Sequence, residues 1–580
     1  SKPIGSPLAL LAAAMGSSPS CGCCKSATAP VEAVDVIGRA PTGLDSEFPL
    51  LCLTMHDFMK LELILSHETV SDKLVSPEDD RIVHFISHEW LGFKHPDPDG
   101  TQLKCMQHVF DMFLTGRAAE LFEEVDWPAF LKGVSSGSAP AMQVVESKVA
   151  ARDHRSEEDL ILHCKEGFVW LDYHSIPQAV KDERFLKAVN SIPQYVERCN
   201  YFWVCAPPAV HADLKQPRCL ASWRSRGWCR LEDATNFLGR SLKMPLVVTS
   251  QPKLKTFGFF DGLLQYVGRP ERSVFNGHFT CCQLNHRVEK KDGTFETITC
   301  DKDAIAPMLR STFDACMAKP SAQLSVRRNL LSRVAPYVFA GHKVEELKEV
   351  PNPDETLEQF LSRIGYESLN DMDAIGWSAM AWLPTLADMK LVREVATSRP
   401  DLLTGQQGMM VLATSVQTPH SSFKELMQLY DPSELRLCLN RTSLQMGITP
   451  LDRASKHGFV ENAALLLDMR ADANPVRKDN GATPLLSASQ AHYGSCVEIL
   501  LQRRADVTAK DMAGNNALHL AADPYCILGS SDPKDAVEVL KLLLEARVDQ
   551  HARNNAGQTP LDLAKELKLG PIGEELLSKA

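Results

Sequence analysis

Residues 447–458 read GITPLDRASKHG, and the phrase returns three times: GATPLLSASQAHYG from Gly481, GNNALHLAAD from Gly514 and GQTPLDLAKE from Gly557. The opening glycines are 34, 33 and 43 residues apart, so the last interval carries about ten extra residues, close to PYCILGSS at Pro524 to Ser531. A second apolar stretch follows each start: AALLLDMRADAN, CVEILLQRRADV, AVEVLKLLLEARVD and EELLSKA. Thr and Pro together open a helix well, because the hydroxyl caps a free backbone N–H and the ring fixes φ at a helical value. Asp472, Asp506 and Asp549 mark the turns after the second helices. The period predicts paired helices that bury their apolar faces only by stacking on one another.

This period and the Thr-Pro-Leu core resemble the ankyrin repeat. Two weaker starts lie upstream, at Gly376-Trp377-Ser378-Ala379-Met380 and Gly408-Met409-Met410-Val411-Leu412, both without the proline. The array is therefore expected over 371–580, its first two repeats degenerate. The resemblance implies one helical solenoid whose concave surface binds a protein partner.

Residues 81–255 have another rhythm. RIVHFIS (81–87), FVWLDY (168–173), YFWVCAP (201–207) and MPLVVTS (244–250) are nearly continuous apolar runs, as in strands covered on both faces. Helical stretches such as QLKCMQHVFDMFL and CRLEDATNFLG lie between them. The alternation predicts a doubly wound parallel α/β sheet. The 80-residue gap after Ser87 needs an insertion, with GVSSGSAPA (133–141) as its flexible part. Ligands of such sheets sit beyond the carboxyl ends of the strands. Those ends are Ser87-His88-Glu89-Trp90, Asp172-Tyr173 and Cys205-Ala206-Pro207.

FISHEW, VWLDYHSIPQ and SRGWCRLE resemble the Toll/interleukin receptor (TIR) fold, and the second segment resembles heterokaryon-incompatibility domains as well. In many TIR domains a Trp-x-x-x-Glu motif carries the catalytic glutamate of an NAD-cleaving activity, and Trp228-Cys229-Arg230-Leu231-Glu232 matches it. The resemblance implies Glu232 as catalytic residue, with Ser87, His88, Asp172, Trp228, Arg226 and Arg230 on the substrate side. NAD would be a substrate, and no cofactor is required. Cleavage at the nicotinamide–ribose bond builds positive charge on the sugar, which a carboxylate stabilises. Signalling TIR domains also act by self-association without catalysis. Two functions therefore stand side by side: an NAD-cleaving signalling enzyme, and a non-catalytic adaptor in which both domains bind proteins.

Residues 256–370 are expected as a small α+β bridge, with hairpin turns at Asn276-Gly277 and Asp292-Gly293 and helices around AIAPMLRSTFDACM and TLEQFLSRIGY. Cys281, Cys282 and Cys300 lie near His278 and His286, but adjacent thiols do not have ordinary zinc-ligand spacing, so no metal is expected.

The 580 residues carry a net charge of −11 and 44% hydrophobic residues, an ordinary globular mix that disfavours a nucleic-acid binder. No run of 18 apolar residues occurs, so no membrane-spanning helix is expected. Scattered cysteines, 17 in all, point to a reducing, cytoplasmic setting. Residues 1–50 read as a disordered leader and 51–80 as a helical lead-in. If translation starts at Met15, Gly16 fits a myristoylation site, and Cys21, Cys23 and Cys24 fit palmitoylation. Membrane attachment is expected only through that acylated leader.

Overall fold

A computed structural model describes residues 46–122, 126–132, 155–178, 183–238, 243–249, 252–256, 269–283, 285–289, 294–297, 300–317, 337–342, 352–364, 366–371, 378–443, 447–526, 529–530, 532–567 and 571–579. The acylation motif at Gly16, Cys21, Cys23 and Cys24 and the stretch 133–141 lie outside the described residues.

Six strands form the main sheet: β1 (Leu53–Thr54), β2 (Val83–His88), β3 (Phe168–Trp170), β4 (Tyr201–Cys205), β5 (Leu246–Val248) and β6 (Leu254–Thr256). They lie in the order β1-β3-β2-β4-β5-β6. The inner four are parallel, as their unbroken apolar runs require. Both edges are antiparallel: β1 pairs with β3 and β6 pairs with β5. The expected helical lead-in thus contributes an edge strand ahead of its two short helices, Met55–Phe58 and His67–Val70, and Cys52 and Leu53 are fully buried against the sheet.

Each face of the sheet has its own core. On one, Phe85 stacks on Trp170 at 4.2 Å and on Phe202 at 5.6 Å, under α2 (Leu220–Ser225), α3 (Gly227–Leu238) and α4 (Asp301–Met317). On the other, His84, Tyr201 and Trp203 face α1 (Thr101–Leu114). His84 is a buried polar residue with both ring nitrogens engaged. Its Nδ1 accepts from Trp203 Nε1 at 3.2 Å and its Nε2 faces the His163 carbonyl at 3.1 Å. Burial holds its pKa down to about 3, so it is a neutral core histidine.

The C-terminal half is the expected helical array. Inner helices Ala379–Leu386, Gly405–Ser415, Pro450–His457, Pro484–Gln490, Ala517–Ala521 and Pro560–Glu566 alternate with outer helices over one continuous core. Thr449, Thr483 and Thr559 cap their helices by accepting from the backbone N–H three residues on. Gly447, Gly481, Gly514 and Gly557 all have φ between 71° and 77°, the left-handed turn into each inner helix. An extra helix, Pro432–Asn440, separates the second and third inner pairs and lengthens that repeat.

The bridge is not an independent body. Helix α4 packs into the α/β core, whereas Leu357–Ile364 packs on the first repeat. Asn276-Gly277 is not a hairpin turn: it closes a 3-10 turn, Val274–Asn276, capped by Ser273, with Val274 and Phe275 fully buried. β7 (Arg287–Glu289) is antiparallel to β8 (Phe295–Thr297), and the expected turn between them at Asp292-Gly293 lies outside the described residues.

The ten extra residues of the third interval join the halves. Tyr525, 1% exposed, belongs to the α/β core. Arg224 Nη1 donates to the Cys526 carbonyl at 2.8 Å, Arg272 donates to the Gly529 carbonyl, and Lys255 pairs with Asp523 at 3.0 Å. Arg269 Nη2 meets His457 Nδ1 at 2.8 Å two repeats earlier. The α/β unit therefore sits on the helix-to-helix connections of neighbouring repeats.

Candidate functional site

The parallel strand order β3-β2-β4-β5 is the 2-1-3-4 winding, whose switch point lies between β2 and β4. Beyond the carboxyl ends of these two strands the structure has a cleft of about 540 Å³. Its α/β wall includes Glu89, Trp90, Phe93, Arg218, Arg226 and His278. Its other wall comes from the array, with His492, Lys534 and Val537. Glu89 is 7% exposed and pairs with Arg218 at 3.1 Å. Burial raises its pKa, against the pull of Arg218 and Arg226.

Behind this cleft the structure gathers four of the residues picked from sequence. Ser87, last but one in β2, donates its hydroxyl to Glu232 Oε2 and accepts from Trp223 Nε1 at 3.0 Å. Burial pushes the Glu232 pKa up to about 8, and the Asp172 charge adds to the rise while the Ser87 bond opposes it. At neutral pH the group is therefore mainly a carboxylic acid. It is 8% exposed and is not among the cleft's lining residues.

His88 and Asp172 form the second half of the cluster. His88 Nε2 faces Asp172 Oδ1 at 2.9 Å, and His88 Nδ1 faces Gln102 Oε1 at 2.9 Å. Gln102 is oriented by its own amide, which donates to the Glu89 carbonyl at 2.9 Å. Oxygens at both ring nitrogens suit an imidazolium. Burial opposes the charge, but Asp172 outweighs it and lifts the His88 pKa to about 9. Asp172 is correspondingly held below its ordinary value: burial works against this, and His88 and the Trp90 indole, which donates at 2.8 Å, prevail.

The remaining three residues have separate positions. Arg226 lines the cleft and donates to Thr280 Oγ1 at 3.2 Å. Trp228 is turned the other way, its Nε1 donating to Asp301 Oδ2 at 3.1 Å and bracing α3 against α4. Arg230 donates to the carbonyls of Arg224, Glu271 and Ser273 at 2.5, 2.8 and 2.8 Å. Sequence reasoning missed Glu89, Arg218 and Gln102. Glu89 stands in the strand end quoted above and was open to selection. Arg218 sits on a two-residue ribbon, Pro217–Arg218 against Ala209–Val210, for which no periodic signal exists.

Comparison with known proteins bears on the array alone. Residues 407–511 and 453–528 match the family described as ankyrin repeats (3 copies), and 513–555 match the single ankyrin repeat. Similar proteins include the E3 ubiquitin-protein ligase KEG of Arabidopsis thaliana, 32% identical over 23% of this chain and 8% of that protein. Neurogenic locus notch homolog protein 1 of Xenopus tropicalis is 33% identical over 20% of this chain and 4% of its own length. The B-cell lymphoma 3 protein homolog of Mus musculus is 28% identical over 23% of this chain and 28% of its own. The chain thus spans less than a third of each of these relatives. The C-terminal region consists of ankyrin repeats, modules of protein–protein interaction. No family match to a TIR or heterokaryon-incompatibility domain was found for the α/β unit. No helix among the described residues is long and apolar enough to cross a membrane.

Proposed function

We propose that the chain is an adaptor: its array binds a protein partner, and its α/β unit is a second body fixed to the array. One observation carries this reading. The α/β unit grips the helix-to-helix connections, while the loops leading into the inner helices stay outside that contact and present Val476, 60% exposed, and Met512, 62% exposed, on successive tips. Exposed apolar groups at neighbouring repeats suit a protein surface. Replacing both by Asp tests it: a partner captured by the wild-type chain and then purified should lose its binding, with the array still folded.

A second reading is favoured by the switch-point cleft. Its arginines suit a pyrophosphate and its Trp90 and Phe93 suit a flat base, so NAD is the ligand proposed for it. In that reading Glu89, which lines the cleft, is the carboxyl group that faces a developing ribosyl cation, and Glu232, buried one layer behind it, holds Ser87 at the end of β2. Incubation with NAD and detection of nicotinamide decides between the two; a wild-type chain that releases none leaves the adaptor.

A further inference from the structure

We infer that Cys281, Cys282, His286 and Cys300 form a structural zinc site that pins the β7–β8 hairpin and the outer wall of the cleft. Their ligand atoms all lie within 4.8 Å of one another. Cys282 Sγ is 3.9 Å from Cys281 Sγ, 3.7 Å from Cys300 Sγ and 3.7 Å from His286 Nε2. A tetrahedral zinc with Zn–S near 2.3 Å and Zn–N near 2.0–2.1 Å has ligand-to-ligand edges of about 3.5–3.8 Å. The three distances from Cys282 are close to those edges and the whole group lies within 4.8 Å, on a thiolate-rich set that selects zinc over harder cations. Three thiolates and one imidazole complete four-coordination, the closed arrangement of a structural site.

The backbone is shaped to gather these groups. Cys281 and Cys282 share one helical turn, Thr280–Gln283. The chain then passes through two successive left-handed non-glycine residues, Asn285 at φ 51° and His286 at φ 56°, and the His286 N–H closes on the Cys281 carbonyl at 2.8 Å. Left-handed backbone at such residues is strained and needs compensation from its surroundings. Cys300 arrives from the far side of the hairpin, one residue before α4. The Asp301 backbone N–H points at Cys281 Sγ from 3.4 Å, a donor that would hold a thiolate in place.

The strands of the hairpin are three residues long and Phe295 is 65% exposed, and a short two-stranded ribbon is marginal without added support. Metal binding supplies such support, as in other small thiolate sites. Thr280 and Gln283, on the turn that carries the two cysteines, line the cleft, and Thr280 receives Arg226. Zinc therefore fixes the wall against which Arg226 is positioned. His278 belongs to that wall and not to the four-residue group.

The test is metal content of the full chain, expressed with zinc and purified under reducing conditions without chelator. Wild type and the control Cys105→Ser should each carry about one zinc per chain, as one closed site requires. Cys300→Ser and His286→Asn should each lose most of it. Because a variant could lose metal by misfolding, cobalt replacement in the wild type is the second measurement. Thiolate-to-cobalt charge-transfer absorption with intense tetrahedral bands supports the site. Wild-type protein without zinc, zinc retained in both variants, octahedral cobalt, or a Cys282–Cys300 disulfide in the freshly isolated chain overturns it.

Discussion

Ser87 donates its hydroxyl to Glu232 inside the α/β unit, where the carboxyl group is buried and its pKa rises to about 8. The folded chain therefore holds a proton at Glu232 that the unfolded chain releases above its ordinary value of 4.5. The folded state binds more protons through this window, so stability falls as pH rises from about 4.5 to about 8, by about 1.4 kcal/mol for each pH step of one. Glu232→Gln keeps the shape and an acceptor for Ser87 without the ionisation. We expect the variant to melt higher than wild type at pH 9 and close to it at pH 5, by differential scanning calorimetry. Equal melting differences at both pH values would show that Glu232 is ionised in the folded chain.

His88 and Asp172 respond with opposite signs. His88 is raised to about 9, so its contribution is complete below 6.5 and is lost as pH climbs through 9. Asp172 is depressed, so its contribution is present above 3.8 and is lost on acidification. His88→Gln should destabilise by about 3 kcal/mol at pH 7, because a buried Asp172 loses its cation. The loss should shrink at pH 10. NMR titration of the imidazole reads the pKa directly; a value near 6.5 would refute the pairing.

Tyr525 ties the array to the α/β core. Tyr525→Ala should cost about 3 kcal/mol, as for other large aromatic truncations. More diagnostic is cooperativity. The two halves should unfold in one transition in wild type and in two in Tyr525→Ala or Arg224→Ala, followed by tryptophan fluorescence against circular dichroism. A single transition in all three would mean the latch does not couple them.

Thr449, which accepts from the Asp452 N–H at 3.2 Å, is a buried helix cap. Thr449→Ala should lower stability by about 1 kcal/mol, and Thr449→Ser should restore most of it, both read by urea denaturation.

The array was legible because its signals are local. Glycine and a helical apolar pattern recur within each repeat and Thr-Pro in three of them, and each has its own steric or capping reason. Four buried strands were legible for a similar reason, since continuous apolar runs leave little else to form. Edge strand β1 was not, because two residues carry no period. The site was half legible. Strand ends pointed to Ser87, His88 and Asp172, and the Trp-x-x-x-Glu spacing added Glu232. Which of them meets solvent depends on the path of loops between β2 and β4 and on the array's inserted loop, and spacing cannot report that. The gathering of Cys281, Cys282, His286 and Cys300 was not legible, because it comes from two left-handed residues and the return of the chain from β8, which spacing does not report.

The adaptor reading is tested most directly by binding of a purified partner, first captured on the wild-type chain, to three proteins: wild type, Val476→Asp with Met512→Asp, and Glu232→Gln. Calorimetric titration should give equal affinity for wild type and Glu232→Gln, and at least about tenfold weaker binding for the double variant, the loss expected at a central contact. Equal affinity of the double variant, with its helical content unchanged, would contradict the assignment of the array's loop tips as the working surface.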